Sequence, residues 1–395
     1  PPCSFFWPCA MMDKTADECL RSGKQYSFRG IYMALAAFVH SGARRPAEGE
    51  EPPHTRGRAY EPSGFAAARV LLARAGKGHG MKQNFHKRTL KLEEINRRAA
   101  ADPEGFAAGE SEGYLREIDA LARYLAVGFD SHCLVMLSGP SSSGKTTTAL
   151  ILRDRLREMG VDAHTVSMDD FYRGREQAPR LPDGSFDYEA LEALRLDALE
   201  ACMRDLLDKG CAQIPRFDFH RGRPAEETRE LCIQSNSVVI FEGIHAINPY
   251  FERHLPSENL FKIFVNTVTP LYDGSDKLVA RRELRLIPRL LRDERFRSSP
   301  VENTLHMWPQ VVRGENEYMF PYVDTVDYLV DTTHAYEVSV FAPLLLPSLR
   351  AVPPESPHPP AVSRLIAKLE RFEPVPLDAM PRDSLLREFV GDGVY

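Results

Sequence analysis

The sequence predicts an α/β fold, with a doubly wound, mostly parallel sheet and helices on both of its faces. Short apolar runs alternate with helical patterns over residues 131–332, which is the order of elements that a parallel sheet requires. A Gly-rich loop at residues 139–146 joins the first apolar run to the first helix, and acidic residues follow two later runs, at Asp169 and Glu242. Open α/β sheets bind their ligands at these carboxyl ends of the strands.

The first 80 residues differ from the rest of the chain. They contain Gly/Pro/Arg-rich connectors, such as residues 43–58, and show no sustained helical or strand period. Met81 then opens a charged, periodic sequence. One hypothesis is that Met81 is the natural start and that residues 1–80 are a non-native addition. The alternative is a poorly structured or regulatory extension.

Three further regions follow residue 80. We expect residues 81–130 to form a helical lead-in, because apolar residues recur at helical spacing over residues 89–100 and 113–127. The α/β domain then covers residues 131–350. A Pro-rich connector and a helical tail are predicted for residues 351–395.

Within the α/β domain the apolar runs predict the individual strands. Residues 134–137 predict the strand before the Gly-rich loop, and the run at residues 238–241 is typical of a strand that is buried on both faces. The remaining predicted elements are strands at residues 163–167, 261–266 and 328–331 and helices at residues 147–159 and 188–209.

The Gly-rich loop is a candidate phosphate-binding loop. Residues 139–146 fit the pattern G-x-x-x-x-G-K-[ST] at every fixed position and lie between a strand and a helix, as this motif requires. Its backbone N–H groups and the helix N-terminus would hold a polyphosphate. We therefore expect ATP or GTP here, with Lys145 on the phosphates and the Thr146 hydroxyl on Mg²⁺. The predicted nucleotide-binding residues are Gly139, Ser141, Ser142, Ser143, Gly144, Lys145, Thr146 and Thr147.

Two carboxylates at strand ends complete a candidate site for phosphoryl transfer. Asp169 is a candidate base for an acceptor hydroxyl and a second Mg²⁺ contact, whereas Asp170 is interpreted as the cap of a helix beginning at Phe171. Glu242 ends a buried strand, where an unpaired carboxylate is unfavourable. We expect Glu242 to hold Mg²⁺ directly or through water.

An arginine-rich stretch lies at residues 280–297. Pro288 predicts a break between two helices, as in a hinged lid over residues 280–300. A solvated, salt-bridged helix face and a nucleic-acid contact are the alternatives, but seven arginines outnumber three acids, and no aromatic platform is interleaved. We expect a lid that closes over the transferring phosphate. The arginines predicted to share one helical face are Arg281, Arg285, Arg289 and Arg292.

Composition argues against several classes of protein. The net charge of -6 argues against a general nucleic-acid binder, and the longest apolar stretch, residues 31–39, is too short to span a bilayer. The seven cysteines show no C-x-x-C pair and no metal-ligand spacing, and we interpret them as reduced thiols. We therefore expect a cytoplasmic protein with no nucleic-acid or membrane partner. The sequence leaves the oligomeric state open, and a homo-oligomer is one of the alternatives.

Five segments together resemble the uridine kinase and phosphoribulokinase family of P-loop kinases, and within it the bacterial uridine kinase-like nucleoside kinases. These segments are residues 139–147, 167–172, 186–191, 214–219 and 239–246. The similarity continues through residues 292–297, 304–309, 313–315 and 386–389. It covers most of residues 82–395 and none of residues 1–80.

The resemblance implies that ATP or GTP, with Mg²⁺, phosphorylates the 5′-hydroxyl of a pyrimidine nucleoside, uridine or cytidine. By position it implies that Asp169 is the catalytic aspartate and Glu242 the Mg²⁺-site glutamate. Asp187 would bind the ribose hydroxyls and Phe217 would face the base. The predicted catalytic residues are Asp169, Lys145, Arg289 and Arg292, and the predicted acceptor contacts are Asp187, Phe217, His220, Tyr172 and Arg285.

Two departures from the family pattern concern the acceptor. Pro288 stands where the lid usually carries another arginine, and the loop after Phe219 is shorter than in well-known uridine kinases, which leaves His220 without a clear counterpart. The alternatives are therefore a kinase for another small hydroxylated metabolite, such as a phosphorylated sugar, and a nucleotide-sensing protein without catalysis. The presence of both Asp169 and Glu242 argues against the sensor.

Overall fold

The computed structural model of the protein describes residues 88–128, 133–219 and 221–395. These residues lie in one compact unit. The expectations for residues 1–80 and for His220 lie outside the described residues. Within the described ranges, no helix combines the length and the apolar character that a membrane span requires.

The described residues form strands and helices in mixed order along the chain. The strands are β1 (Leu90–Lys91), β2 (Cys133–Ser138), β3 (Ala163–Ser167), β4 (Cys211–Ile214), β5 (Phe217–Asp218), β6 (Arg223–Pro224), β7 (Arg229–Cys232), β8 (Val238–Glu242), β9 (Leu260–Asn266), β10 (Leu271–Asp273), β11 (Asp276–Val279) and β12 (Tyr328–Asp331). The helices are α1 (Leu92–Ala101), α2 (Pro103–Gly128), α3 (Lys145–Glu158), α4 (Leu196–Lys209), α5 (Pro249–His254), α6 (Arg281–Arg297), α7 (Val301–Tyr318), α8 (Glu337–Arg350) and α9 (Pro359–Leu369).

The central sheet has five parallel strands in the order β12-β9-β2-β8-β3. Alternate residues of β2 face opposite cores. Val135 packs with residues of α2 and α3 on one face, and Met136 packs with residues of α4 and α5 on the other. Burial on both faces explains why this strand is apolar throughout. The predicted fold class, a parallel sheet between two layers of helices, is confirmed.

The arginine-rich stretch forms one helix, so the predicted break at Pro288 is wrong. α6 continues through Pro288, which is buried together with Ile287 and Leu290. Proline removes one backbone hydrogen bond from a helix. Burial of the apolar face of α6 in the core compensates for that loss.

The long helix predicted from residue 188 begins later, at Leu196. The preceding residues contain only a 3₁₀ turn, Leu191–Ala193. Two contacts with the segment after β3 delay the start of the helix: Leu194 forms a β-bridge with Tyr172, and Arg195 N–H donates to Phe171 O over 2.8 Å. These long-range contacts override the apolar periodicity of residues 188–195.

One pair of cysteines contradicts the prediction of reduced thiols. Cys211 and Cys232 face each other across the antiparallel pair β4 and β7 and form a disulfide. Cys133 and Cys202 are free and buried, as expected of thiols that serve as small apolar side chains. Cys3, Cys9 and Cys19 lie outside the described residues.

The helical lead-in is connected to the phosphate-binding loop by a buried hydrogen bond. Thr148 donates its hydroxyl hydrogen to Gly144 O over 2.7 Å, so the Tyr114 hydroxyl, 2.7 Å away, donates to Thr148 Oγ1. Both side chains are buried. α2 therefore supports the first turn of α3.

Replacing Tyr114 with Phe should lower the free energy of unfolding by about 1 kcal/mol, because a buried hydrogen bond is lost while the ring stays packed. Urea unfolding of the variant measures this change. Tyr188→Phe is the matched control, since Tyr188 is 41% exposed. Equal stability of the two variants would contradict a supporting role for the bond.

Candidate active site

The phosphate-binding loop is tightly packed at both of its glycines. A Cβ atom at Gly139 would lie 2.3 Å from Val265 O, so only glycine fits beside β9. Gly144 has φ +80, and a Cβ there would lie 2.6 Å from Leu385 Cδ1. The loop conformation therefore depends on glycine for backbone freedom and for space.

The carboxyl ends of β2, β3 and β8 bring the candidate metal ligands together. Glu242, at the end of β8, accepts hydrogen bonds from Thr146 Oγ1 over 3.3 Å and from Ser167 Oγ over 2.8 Å. Among the described residues, no group of three or more His, Cys, Asp or Glu side chains is arranged to hold a metal ion by itself. Mg²⁺ in kinases is usually held by one or two carboxylates, a hydroxyl and the substrate phosphates. The oxygen donors present at this end of the sheet therefore fit Mg²⁺.

Asp169 lies in a 3₁₀ turn directly after β3 and lines the same cavity as Lys145. Burial, and then the Glu242 carboxylate, raise the pKa of Asp169 to about 6, while the Lys145 ammonium acts in the opposite direction. A carboxyl with this pKa accepts a proton more readily than an exposed aspartate does.

Asp170 does not cap a helix, contrary to the prediction. It lies inside the 3₁₀ turn Met168–Phe171, and its Oδ1 accepts from Phe217 N–H over 3.3 Å. Asp170 thus connects the end of β3 to β5.

The candidate site opens into a cavity of about 660 Å³. The predicted residues that line it come from the phosphate-binding loop, the end of β3 and α6. They are Ser141, Ser142, Ser143, Gly144, Lys145, Thr146, Thr147, Asp169, Tyr172, Arg289 and Arg292. The structure therefore brings the donor loop and the candidate base to one cavity.

Three arginines of α6, Arg289, Arg292 and Arg297, line this cavity, and all three are paired with Asp293. Arg289 Nη1 donates to Ser141 Oγ over 2.5 Å, and its Nε lies 3.2 Å from Asp293 Oδ2. Arg292 Nη2 lies 3.1 Å from Asp293 Oδ1. Arg297 Nη1 lies 3.5 Å from Asp293 Oδ1. Asp293 thus holds three guanidinium groups at the phosphate end of the cavity.

Arg285, predicted to contact the acceptor, is placed differently. Its side chain is 1% exposed and forms a two-point ion pair with Glu315, at 2.5 and 2.7 Å. Its Nη1 also donates to Ser141 O over 3.1 Å. Because Glu315 and the loop backbone occupy the guanidinium, Arg285 supports the phosphate-binding loop in this structure and does not face the cavity.

The predicted ribose-binding residue, Asp187, is 3% exposed. Its carboxylate accepts from Tyr318 Oη over 2.7 Å and from Arg313 Nη2 over 3.0 Å. Tyr318 lines the cavity, whereas Asp187 lies behind the Tyr318 side chain and does not itself line the cavity. Phe217 contacts Tyr172, with ring centroids 6.1 Å apart, and through it borders the cavity.

Sequence reasoning missed several cavity residues. Glu189 and His245 line the cavity beside Asp169, and the C-terminal segment contributes Glu388, whose Oε2 accepts from Thr147 Oγ1 over 2.6 Å. Burial lowers the pKa of His245 to about 4, which leaves its imidazole neutral near pH 7. His245 and Glu388 lie in segments that carry the family resemblance, but the resemblance gave them no role.

Fold and site together define a P-loop kinase. Residues 134–339 match the phosphoribulokinase/uridine kinase family. The chain belongs to this family.

Relatives with curated names are about a quarter identical to the chain over the aligned residues. A uridine kinase of Mycoplasma genitalium is 27% identical over 179 residues, which are 45% of this chain and 75% of the relative. Uridine-cytidine kinase B of Dictyostelium discoideum is 27% identical over 198 residues, 50% of this chain and 73% of the relative. The solved structure of a possible uridine kinase from Bacillus stearothermophilus has 18% identity and a TM-score of 0.40, covering 55% of this chain and 99% of that one.

Glu189 should make the protein less stable as the pH rises from about 4.5 to about 7. Burial, and then the Glu315 carboxylate, raise the pKa of Glu189 to about 7 from 4.5. A carboxyl with a raised pKa stabilises the fold below its unfolded pKa, and this contribution is lost as the pH rises through the folded pKa. Glu189→Gln should remove this decrease in the free energy of unfolding. The decrease is at most about 1.4 kcal/mol for each unit by which the pKa of Glu189 is raised.

Urea unfolding of Glu189→Gln and of the wild type across this pH range tests the prediction. The exposed Glu192 provides the control Glu192→Gln. A stability difference between Glu189→Gln and the wild type that stays constant with pH would count against it.

Proposed function

We propose that the protein transfers the γ-phosphoryl group of ATP or GTP to the 5′-hydroxyl of a nucleoside, uridine or cytidine. The observation that carries the proposal is that the phosphate-binding loop and Asp169 line one cavity, with Tyr172 and Tyr318 on its acceptor side. The names of the curated relatives, uridine kinase and uridine-cytidine kinase, support the choice of nucleoside. A small-molecule partner and a cytoplasmic location fit this proposal.

Each part of the reaction has a group in position. The loop amides and Lys145 bind the phosphates, and Asp169 accepts the proton of the acceptor hydroxyl as that oxygen attacks the γ-phosphorus. Thr146 and Glu242 would hold Mg²⁺, which neutralises phosphate charge when bound. Arg289 and Arg292 add positive charge at the same end of the cavity.

The charges on the acceptor side favour a neutral acceptor. The carboxyl groups of Asp169 and Glu189 line the cavity, and Asp187 lies behind Tyr318. Among the described residues, Arg313 is the arginine that bonds Asp187, and its guanidinium is already paired with Asp187 and Glu317. The phosphate group of a phosphorylated sugar would lie beside these carboxylates and be repelled by them. Arg313 is not free to neutralise that phosphate. This arrangement favours a nucleoside over a phosphorylated sugar.

Incubation with ATP or GTP, Mg²⁺ and a panel of acceptors tests the activity. We expect a nucleoside 5′-monophosphate from uridine or cytidine and little product from ribulose 5-phosphate. Chromatography of the products distinguishes the outcomes. Tight nucleotide binding without product from any acceptor would favour the sensor, and preferred turnover of the sugar phosphate would favour the alternative kinase.

Replacing Asp169 with Asn should lower kcat by about 10²- to 10⁴-fold, because asparagine cannot take the hydroxyl proton. Nucleotide affinity should change little. Steady-state kinetics and titration with a fluorescent ATP analogue measure the two effects. Asp183→Asn serves as a control, since Asp183 lies in an exposed loop and bonds only its neighbour Ser185 among the described residues. A near-normal kcat for Asp169→Asn would refute the assignment of the base.

A further inference from the structure

We propose that one turn of α7, residues 313–318, sets the spacing between the two substrates. The proposal rests on the function proposed above. It assigns positioning roles to Arg313, Gly314, Glu315 and Tyr318, of which sequence reasoning gave none a function. Three sets of contacts carry it: one to the donor loop, one to the acceptor side, and one close backbone approach between them.

On the donor side, the turn holds the backbone of Ser141. Glu315 Oε1 accepts from Ser141 N–H over 3.2 Å, while Arg285, paired with Glu315, donates to Ser141 O over 3.1 Å. Both polar groups of one loop residue are thus bound by one ion pair. The pair is almost fully buried, with side-chain exposures of 2% and 3%. Charged hydrogen bonds in such surroundings are strong and directional.

On the acceptor side, the same turn holds Asp187. Arg313 and Tyr318 bind its two carboxylate oxygens, at 3.0 and 2.7 Å. Asp187 Oδ1 also accepts from Glu189 N–H over 3.2 Å. We call residues 187–189 the acceptor segment. This segment reaches the cavity, because Glu189 lines the cavity wall.

Gly314 lets these two sets of contacts form from one turn. A Cβ atom at Gly314 would lie 2.5 Å from Glu189 Cβ and 2.7 Å from Glu189 Cγ. Gly314 is helical, so the structure does not need glycine there for its dihedral angles. It needs glycine because α7 and the acceptor segment approach more closely than any side chain allows.

The two halves of the site are therefore fastened to one rigid piece of helix. Phosphoryl transfer requires the acceptor oxygen and the γ-phosphorus to be held in line, and a misplacement of about 1 Å can lower the rate by about 100-fold. Because the turn binds Ser141 on one side and Asp187 on the other, it fixes this distance. Alignment of the two substrates then depends on α7 as well as on any movement of α6.

Gly314→Ala is the direct test, with Gly109→Ala as its control. Gly109 is also helical, and a Cβ there would meet nothing within 4 Å. We expect Gly314→Ala to lower kcat by about 10- to 100-fold, because the methyl group separates α7 from Glu189. The nucleotide Kd and the acceptor KM should each stay within about 3-fold. A kcat equal to that of Gly109→Ala would overturn the proposal.

Two further variants separate the donor and acceptor contacts. Arg285→Met/Glu315→Leu replaces the buried pair as a whole, which avoids leaving one buried charge unpaired. It should raise the nucleotide Kd by about 10-fold and leave the acceptor KM unchanged. Arg313→Met should raise the acceptor KM and leave the nucleotide Kd unchanged. If the two variants change the nucleotide Kd and the acceptor KM equally, the donor and acceptor contacts are not separate and the proposal is wrong. This comparison tests the proposal even if Gly314→Ala does not fold.

The nucleotide titration needs no turnover, so it distinguishes failure of this proposal from failure of the proposed function. If no acceptor is phosphorylated, the proposed function fails. The donor half of the proposal still stands if Arg285→Met/Glu315→Leu weakens binding of a fluorescent ATP analogue relative to Arg281→Met, an exposed position at the start of the same helix. Unchanged binding would reject it.

Discussion

The buried ion pair between Arg285 and Glu315 is the interaction on which the catalytic end of the molecule depends. It joins α6 to α7 and holds Ser141 by both backbone polar groups. Removing one partner would leave a lone charge in the interior, which typically destabilises a protein by about 3–5 kcal/mol. The pair therefore keeps the phosphate-binding loop and two helices in one fixed arrangement.

The electrostatics of the cavity follow from this arrangement. Arginines of α6 and Lys145 line the cavity together with the carboxyl groups of Asp169 and Glu189, and Glu242 accepts from the Thr146 hydroxyl beside the phosphate-binding loop. The raised pKa values of Asp169 and Glu189 are consequences of burying carboxyl groups next to other carboxylates.

Local sequence patterns predicted the five strands of the central sheet, but none of the short strands of the smaller sheets. The expected bounds of β3 and β12 agree with the structure, and β8 extends the predicted run by one residue, to Glu242. These strands are short, and their bounds depend mainly on nearby residues. The unbroken α6 and the late start of α4 could not be predicted this way. Both depend on contacts with distant residues: burial of Pro288 in the core and the bridge between Leu194 and Tyr172.

The sequence by itself determined the nucleotide-binding loop, the class of fold and the two carboxylates at strand ends, because a contiguous motif and parallel topology place these groups at one edge of the sheet. Only the tertiary structure decided which arginine faces the cavity and which supports the loop. Arg285 and Arg289 are the same type of residue and lie one helical turn apart on α6. Glu315 lies opposite Arg285, whereas the cavity opens beside Arg289. That difference comes from how α7 packs against α6, which no local pattern encodes.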